Sequence, residues 1–179
     1  MLYIEQSGQL EMRRLEHSDL VNVIRLMNDV ISRLPSQDLF AMDDEDYFRE
    51  IFDGNGEVYG AFKNGSLVAF SVLAFPGGNE GNLGTEFGVS EEELPFVAVL
   101  DSTIVHESVR GLGLQRLFHE MREKSAKEKG YQYLYSTVHP QNHASINNLE
   151  TAGFTRQFTR TMYGGKERHC YAKRLNIVE

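Results

Sequence analysis

The stretch PFVAVLDSTIVHESVRGLGLQ, Pro95 to Gln115, decides the fold. Phe96 to Leu100 is an unbroken apolar run, and Thr103, Ile104 and Val105 resume it after Asp101 and Ser102. Such a run predicts a strand buried on both faces in the middle of a sheet. A polar elbow, His106-Glu107-Ser108-Val109, leads into Arg110-Gly111-Leu112-Gly113-Leu114-Gln115, and from there Leu114, Leu117, Phe118 and Met121 fall at helical spacing. The order is buried strand, glycine loop, helix. Backbone N–H groups and a helix dipole then converge on one spot, which makes an anion site. Gly111 and Gly113 let the backbone approach a phosphate without an obstructing Cβ, and Arg110 adds a charge. From this stretch alone, a glycine junction without any phosphate is equally admissible. The dinucleotide fingerprint G-x-G-x-x-G is not met, because Arg116 stands in place of the third glycine and the next strand ends Thr137-Val138-His139 without an acid.

The 179 residues fit one domain, 1–179, large enough to bury a core. An apolar fraction of 41% and a charged fraction of 25% are those of a soluble globular protein. No apolar run approaches the roughly 18 residues of a membrane span, and Met1 to Glu5 lacks the basic flank of a signal peptide. The single cysteine, Cys170, excludes an internal disulfide, suits a reducing cytoplasm, and in a strand context reads as a buried structural thiol. A net charge of −8 argues against nucleic acid as a partner and permits a cationic one.

Outward from the central stretch, residues 10–15 predict a first strand, and Ser18 caps a helix with Leu20, Val23, Ile24, Met27, Val30, Ile31 and Leu34 on one stripe, stopped by Pro35. A second helix starts at Asp43 or Asp44 and ends at Gly54-Asn55-Gly56. Residues 57–63 and 66–73 read as a hairpin closed by a type I′ Asn64-Gly65 turn. Residues 76–94, rich in glycine and ending Glu91-Glu92-Glu93, read as a long functional or mobile loop. The helix after Leu114 runs to about Lys129 and stops at Gly130. A strand at 131–138, a short helix at 143–152 capped by Asn142 and stopped by Gly153, and two strands around Gly164-Gly165 complete the chain. The order β, α, α, β, β, β, α, β, α, β, β is a mixed α/β layout and not an alternating doubly wound one.

Two stretches together resemble the GNAT superfamily of acyl-CoA-dependent N-acetyltransferases. Val105 to Leu114 is similar to that family's pyrophosphate loop, Q/R-x-x-G-x-G/A, and Asn142-His143-Ala144-Ser145 through Ala152-Gly153-Phe154 is similar to its N-x-x-A/S…G-F helix. The resemblance covers essentially the whole chain and implies an α/β fold with a mostly antiparallel central sheet flanked by helices. It also implies acetyl-CoA as cosubstrate, without a metal. Backbone N–H groups of Arg110, Gly111, Leu112, Gly113, Leu114 and Gln115 would hold the CoA pyrophosphate. Thr103, Ile104 and Val105 would pair with the pantetheine as an added strand. Asn142 and Ser145 would reach the pantetheine or the thioester, a role compatible with Asn142 being a plain N-cap. Two residues depart from the family pattern. Gln115 replaces the usual Gly or Ala, and Leu149 replaces the tyrosine that in many members protonates the leaving thiolate.

Amine acylation needs a neutral amine, a polarised carbonyl and a protonated leaving group. Asp101, a carboxylate inside an apolar strand where burial would raise its pKa, is one candidate base, against a structural role at a strand irregularity. His139, at the end of the next strand, is the other, against a capping role beside Pro140. Tyr163 and Tyr135 are candidate acids, against core or sheet roles. His106, Glu107 and His143 read as solvated turn residues, and His17 and His119 as surface helix positions. The acids Asp38, Asp43, Asp44, Glu80, Glu86, Glu91, Glu92 and Glu93 point to a cationic amine acceptor, whether a small molecule or a peptide. The leading function is an acetyl-CoA-dependent N-acetyltransferase. The alternatives are a CoA-binding sensor that has lost turnover, motivated by Leu149, and an enzyme that transfers a longer acyl group or acylates a hydroxyl.

Overall fold

The computed structural model describes residues 3–5, 10–36, 43–78 and 82–175. Its elements are β1 (Tyr3–Glu5), β2 (Leu10–Arg14), α1 (Leu20–Ser32), α2 (Glu45–Glu50), β3 (Gly56–Lys63), β4 (Ser66–Ala74), β5 (Val97–Val105), α3 (Leu114–Glu128), β6 (Tyr133–Val138), α4 (His143–Thr151), β7 (Thr155–Met162) and β8 (Lys166–Arg174). The sheet order is β1-β2-β3-β4-β5-β6-β8-β7. The pairs β1–β2, β2–β3, β6–β8 and β7–β8 are antiparallel. Strands β5 and β6 run parallel, with Val97–Val99 opposite Tyr133–Tyr135. A parallel pair requires a long crossover, which α3 supplies. The mixed α/β layout is the one that the element order predicts, and the mostly antiparallel sheet is the one that the family resemblance implies. Strand β1 was not anticipated, being only three residues long.

The chain forms two compact units, each assembled from two segments: Met1–Val72 with Ser102–Phe118, and Leu73–Asp101 with His119–Glu179. In the first unit the Asn64-Gly65 turn has φ of 50° and 80°, the type I′ geometry expected of that dipeptide. Helix α1 buries Val23, Leu26, Met27, Val30 and Ile31, close to the predicted stripe. Its entry differs from expectation. Ser18 is exposed, and the buried Asp19 organises the turn, accepting the Glu16 amide at 2.8 Å and both ends of the Arg13 guanidinium at 2.8 Å. Those bonds hold the Asp19 carboxyl below the usual carboxylate range. Asp44 caps α2 by accepting the Tyr47 amide at 2.8 Å. Phe48 and Phe70, both fully buried, meet edge to face with ring centroids 5.8 Å apart.

In the second unit the core gathers Leu73, Ala98, Leu100, Leu134, Leu149, Phe154 and Tyr171. Helix α3 brings His119 and Arg122 into the interior, both buried, with Arg122 Nη2 3.3 Å from His119 Nδ1. The expected surface position for His119 is therefore incorrect. Burial, reinforced by Arg122 and Lys173, pushes its pKa down to about 3. The 76–94 segment is also less open than its glycines suggest. Asn82, 1% exposed, donates to the carbonyls of Gly77 at 2.7 Å and Leu94 at 3.1 Å, and accepts the Gly84 amide at 2.8 Å. One side chain ties both ends of the loop. Phe96 closes a 3₁₀ turn, Leu94–Phe96, and is 41% exposed, so the buried strand begins at Val97.

Candidate active site

The loop expected to bind an anion is the β5–α3 connection of the first unit. His106 opens a 3₁₀ turn, Glu107–Val109, its Nδ1 accepting the Ser108 amide at 3.1 Å, while its own amide donates to Val68 at 2.9 Å. Val109 and Leu114 are buried at 1% and 2%, pinning both ends of an exposed loop, Arg110 to Gly113. Gly111 and Gly113 both have φ of 78°, a left-handed conformation that L side chains rarely adopt. A Cβ at Gly111 would meet nothing within 4 Å, and one at Gly113 only Arg116 Nη2 at 3.6 Å. The space over the loop is therefore open. The Gly113 carbonyl accepts the Leu117 amide at 3.1 Å, so α3 starts there. One expectation narrows. The Arg110 amide donates to the Glu107 carbonyl at 3.3 Å, which leaves Arg110 its exposed side chain to offer an anion.

Along β5, Ile104 is buried, while Thr103 and Val105 are half-buried. Thr103 Oγ1 lies 2.6 Å from Ser71 Oγ on β4, and the Ser102 hydroxyl donates to the Asp43 carboxylate. Neither His106 nor Glu107 is a merely solvated turn residue. Glu107 accepts two bonds from Arg33, at 3.1 and 2.9 Å, and these hold its carboxyl down at about 2. Arg33 was not singled out by the sequence, because nothing local marks a residue 74 positions away as a partner.

In the second unit, Asp101 is half-buried and its carbonyl oxygen lies 3.5 Å from Arg122 Nη1. His139 takes the capping role considered for it: Nδ1 accepts the Gln141 amide at 3.0 Å and its carbonyl accepts the Asn142 amide at 2.9 Å. Asn142 Oδ1 in turn accepts the Ser145 amide at 3.3 Å and caps α4. Leu149 is 3% exposed within the core, so that turn of α4 presents no phenol. Tyr163 follows β7 with φ of 50°, its phenol oxygen 2.9 Å from Thr137 Oγ1 and its ring 5.9 Å from the Arg168 guanidinium. The residue is exposed, and desolvation still pushes the phenol pKa up, opposed by the Thr137 bond and reinforced by the charge of Asp101. Tyr135 is a core residue, stacked on Phe87 at 4.0 Å and pushed up to about 12 by burial, then by Tyr133 and Glu93. Thr137 is the member of this group that sequence reading missed.

Of the acids expected to greet a cationic acceptor, Asp38 and Glu80 lie outside the described residues. Asp44 is a helix cap, Glu86 pairs with Arg160, and Glu93 accepts the Tyr133 phenol at 3.4 Å, whereas Glu91 and Glu92 are exposed. A separate cavity of about 600 Å³ is lined by Arg14, His17, Phe52 and Glu57. It lies at the end of β2 and β3 remote from the Asn64-Gly65 turn, and so remote from the His106–Val68 bond that precedes the glycine loop. Its Glu57 is held by the Tyr59 phenol and, at 3.8 Å, by Arg14.

The model of the acetyltransferase (GNAT) family matches residues 23–154. Among curated proteins none matches. Solved structures similar to the chain include the Escherichia coli ribosomal-protein-S18-alanine N-acetyltransferase, at 19% identity and a TM-score of 0.67, covering 95% of this chain and 96% of that one. An N-acetyltransferase from Staphylococcus aureus Mu50 gives 19% identity and a TM-score of 0.72 over 94% and 100%. A Salmonella typhimurium protein solved with its cofactor acetyl-CoA gives 15% and 0.71 over 94% and 95%.

Proposed function

The chain belongs to the acetyltransferase (GNAT) family, and on that premise we propose that residues 1–179 work as one N-acetyltransferase domain, passing the acetyl group of acetyl-CoA to an amine by direct attack. The observation that carries this reading is the exposed loop between β5 and α3, where Gly111 and Gly113, both at φ of 78°, hold a left-handed backbone directly before the first turn of α3. The residues present fit that group. Gly111, Leu112, Gly113, Leu114 and Gln115 offer backbone to the pyrophosphate and Arg110 its guanidinium. Thr103, Ile104 and Val105 offer the β5 backbone to the pantetheine, and Asn142 and Ser145 complete the cofactor-binding set.

Acetyl-CoA supplies an activated acyl group as a thioester. The chain's own residues handle the protons. Asp101 takes the proton of the incoming ammonium, directly or through water, with His139 as the second candidate. The nitrogen then forms its bond to the acyl carbon as the carbon–sulfur bond breaks, with a β5 amide polarising the carbonyl. The Tyr163 phenol donates a proton to the departing sulfur and regains one through water from the nitrogen, which sheds its second proton as the amide forms. An acceptor that is cationic at rest suits the net charge of −8, and we place the protein in the cytoplasm, where Cys170 stays a thiol. Cys170 is buried 3.6 Å from the Met162 sulfur.

The buried Leu149 favours a second reading, a CoA-binding sensor without turnover. One experiment separates the two. Release of free CoA from acetyl-CoA is followed across polyamines, amino acids, aminoglycosides and peptides beginning with alanine, with calorimetric binding of CoA measured alongside. Turnover on any acceptor supports the enzyme. Binding without turnover on the whole panel supports the sensor, and absence of CoA binding overturns both.

A further inference from the structure

We propose that Arg33 is a positioning residue for cofactor binding, acting through Glu107 on the loop that carries Arg110, Gly111 and Gly113; this rests on the assignment of that loop to the CoA pyrophosphate. Glu107 is an awkward neighbour for a phosphate. Its carbonyl takes the Arg110 amide at 3.3 Å, and its carboxylate lies 3.9 Å from the Arg110 guanidinium. An uncompensated carboxylate there would repel the arriving diphosphate and retain Arg110 as its own counter-ion. Arg33 answers that charge. Its Nε and Nη2 reach the two Glu107 oxygens at 3.1 and 2.9 Å, a planar fork on a planar carboxylate.

Arg33 is itself held in place. Asp29, one helical turn earlier on α1, receives Nη1 at 2.5 Å and Nη2 at 2.9 Å. The guanidinium is therefore gripped by two carboxylates at once, at the C-cap of α1, where the helix dipole favours a cation. His106 Nε2 stands beside both acids, 3.5 Å from Glu107 and 3.9 Å from Asp29. The side chains are about 40% exposed, at 42% for Arg33 and 36% for Glu107, so the pair adds little to global stability. Its effect is local: with Glu107 occupied by Arg33, the Arg110 guanidinium can turn to the anion.

The test is calorimetric titration of CoA, at low and high salt, into the wild-type protein, Arg33→Gln, Glu107→Gln and the double variant. Arg33→Gln is expected to weaken CoA binding about tenfold, the size of one charge-assisted contact redirected, and more at low salt than at high. Glu107→Gln performs by deletion what Arg33 performs by pairing, so it binds CoA at least as tightly as the wild type. The double variant recovers most of what Arg33→Gln loses. In turnover, Arg33→Gln raises KM for acetyl-CoA while kcat at saturation holds. Wild-type affinity in Arg33→Gln, a double variant no tighter than Arg33→Gln, or weakened binding in Glu107→Gln would each overturn the proposal. Failure of the wild type to bind CoA would instead remove the loop assignment itself, and the proposal with it.

Discussion

The phenol oxygen of Tyr163 lies 2.9 Å from Thr137 Oγ1, tying the turn after β7 to β6. This bond fixes the phenol at a residue whose φ of 50° is unusual for anything but glycine, asparagine or aspartate. The left-handed backbone belongs to the β7–β8 hairpin turn, where Gly164 and Gly165 also have positive φ. If Tyr163 is the proton donor, Tyr163→Phe lowers kcat by about 10²-fold, within the usual range for a general acid, and leaves CoA affinity unchanged. Steady-state kinetics with a titration of CoA checks both. Full turnover in the variant would return the proton to water.

The glycine loop predicts a split between strain and affinity. Gly113→Ala places a Cβ in ordinary contact with Arg116 Nη2 at 3.6 Å but at φ of 78°, which costs about 1–2 kcal/mol of stability. Gly130→Ala, at φ of 83° with nothing within 4 Å, carries the same strain at the end of α3. Both variants should melt lower, and only Gly113→Ala should lose CoA affinity. Arg110→Ala should weaken CoA by roughly 10–100-fold with no change in melting. Equal losses of affinity in the two glycine variants would mean that the loop glycine serves the turn alone.

For the base, Asp101→Asn keeps shape and hydrogen-bonding capacity and removes the proton acceptor. Its expected signature is a fall in kcat of roughly 10²–10⁴-fold, loss of the acidic limb of the pH–rate profile, and unchanged CoA binding. His139→Gln is the comparison, expected to cost less because Nδ1 is already committed to the Gln141 amide. Small effects from both would leave water as the proton acceptor.

His119 predicts a stability effect with a definite sign. Folded, its pKa sits near 3, against 6.5 when exposed. Above pH 6.5 both states are neutral there and nothing is gained or lost. As pH falls from 6.5 towards 3, the unfolded chain takes up a proton that the folded one refuses, so stability drops, by up to about 1.4 kcal/mol per pH unit. His119→Gln should be less stable at neutral pH, having lost the Arg122 contact at 3.3 Å, yet should show a shallower acid decline. Urea midpoints at pH 7 and pH 4.5 decide it, and parallel declines in the two proteins would refute the assignment.

The fold was legible because its signals are local. The Asn64-Gly65 turn, the apolar run, the Asn142 cap and the Gly130 and Gly153 stops each announce themselves within a few residues, and each falls where expected except that the buried run begins at Val97 and not at Phe96. The order of strand, glycine loop and helix from Val97 to Glu128 was legible for the same reason. What escaped was long-range or orientational. Periodicity gave α3 a helix but could not tell that His119 faces inward beside Arg122, since a polar pair on an amphipathic helix reads as surface. Arg33 meets Glu107 and Thr137 meets Tyr163 only after folding, and no spacing rule links positions 74 or 26 apart. Ser18 looked like a cap because serine commonly is one, but Asp19 adjoins Arg13 across the turn, and a charged fork outcompetes a hydroxyl.

Asn82 carries a consequence for the ageing of the protein. Its side-chain NH₂ faces two carbonyl oxygens, those of Gly77 and Leu94, and its oxygen faces an amide. Hydrolysis of that NH₂ to a carboxylate changes hardly any volume. It nevertheless turns both donors into acceptors, leaving a buried negative charge pressed against two carbonyls. Asn82→Asp is thus isosteric in shape and opposite in electrostatic sense. A preparation that hydrolyses at this one position would lose the tie across residues 82–94 while every strand of the sheet stayed intact.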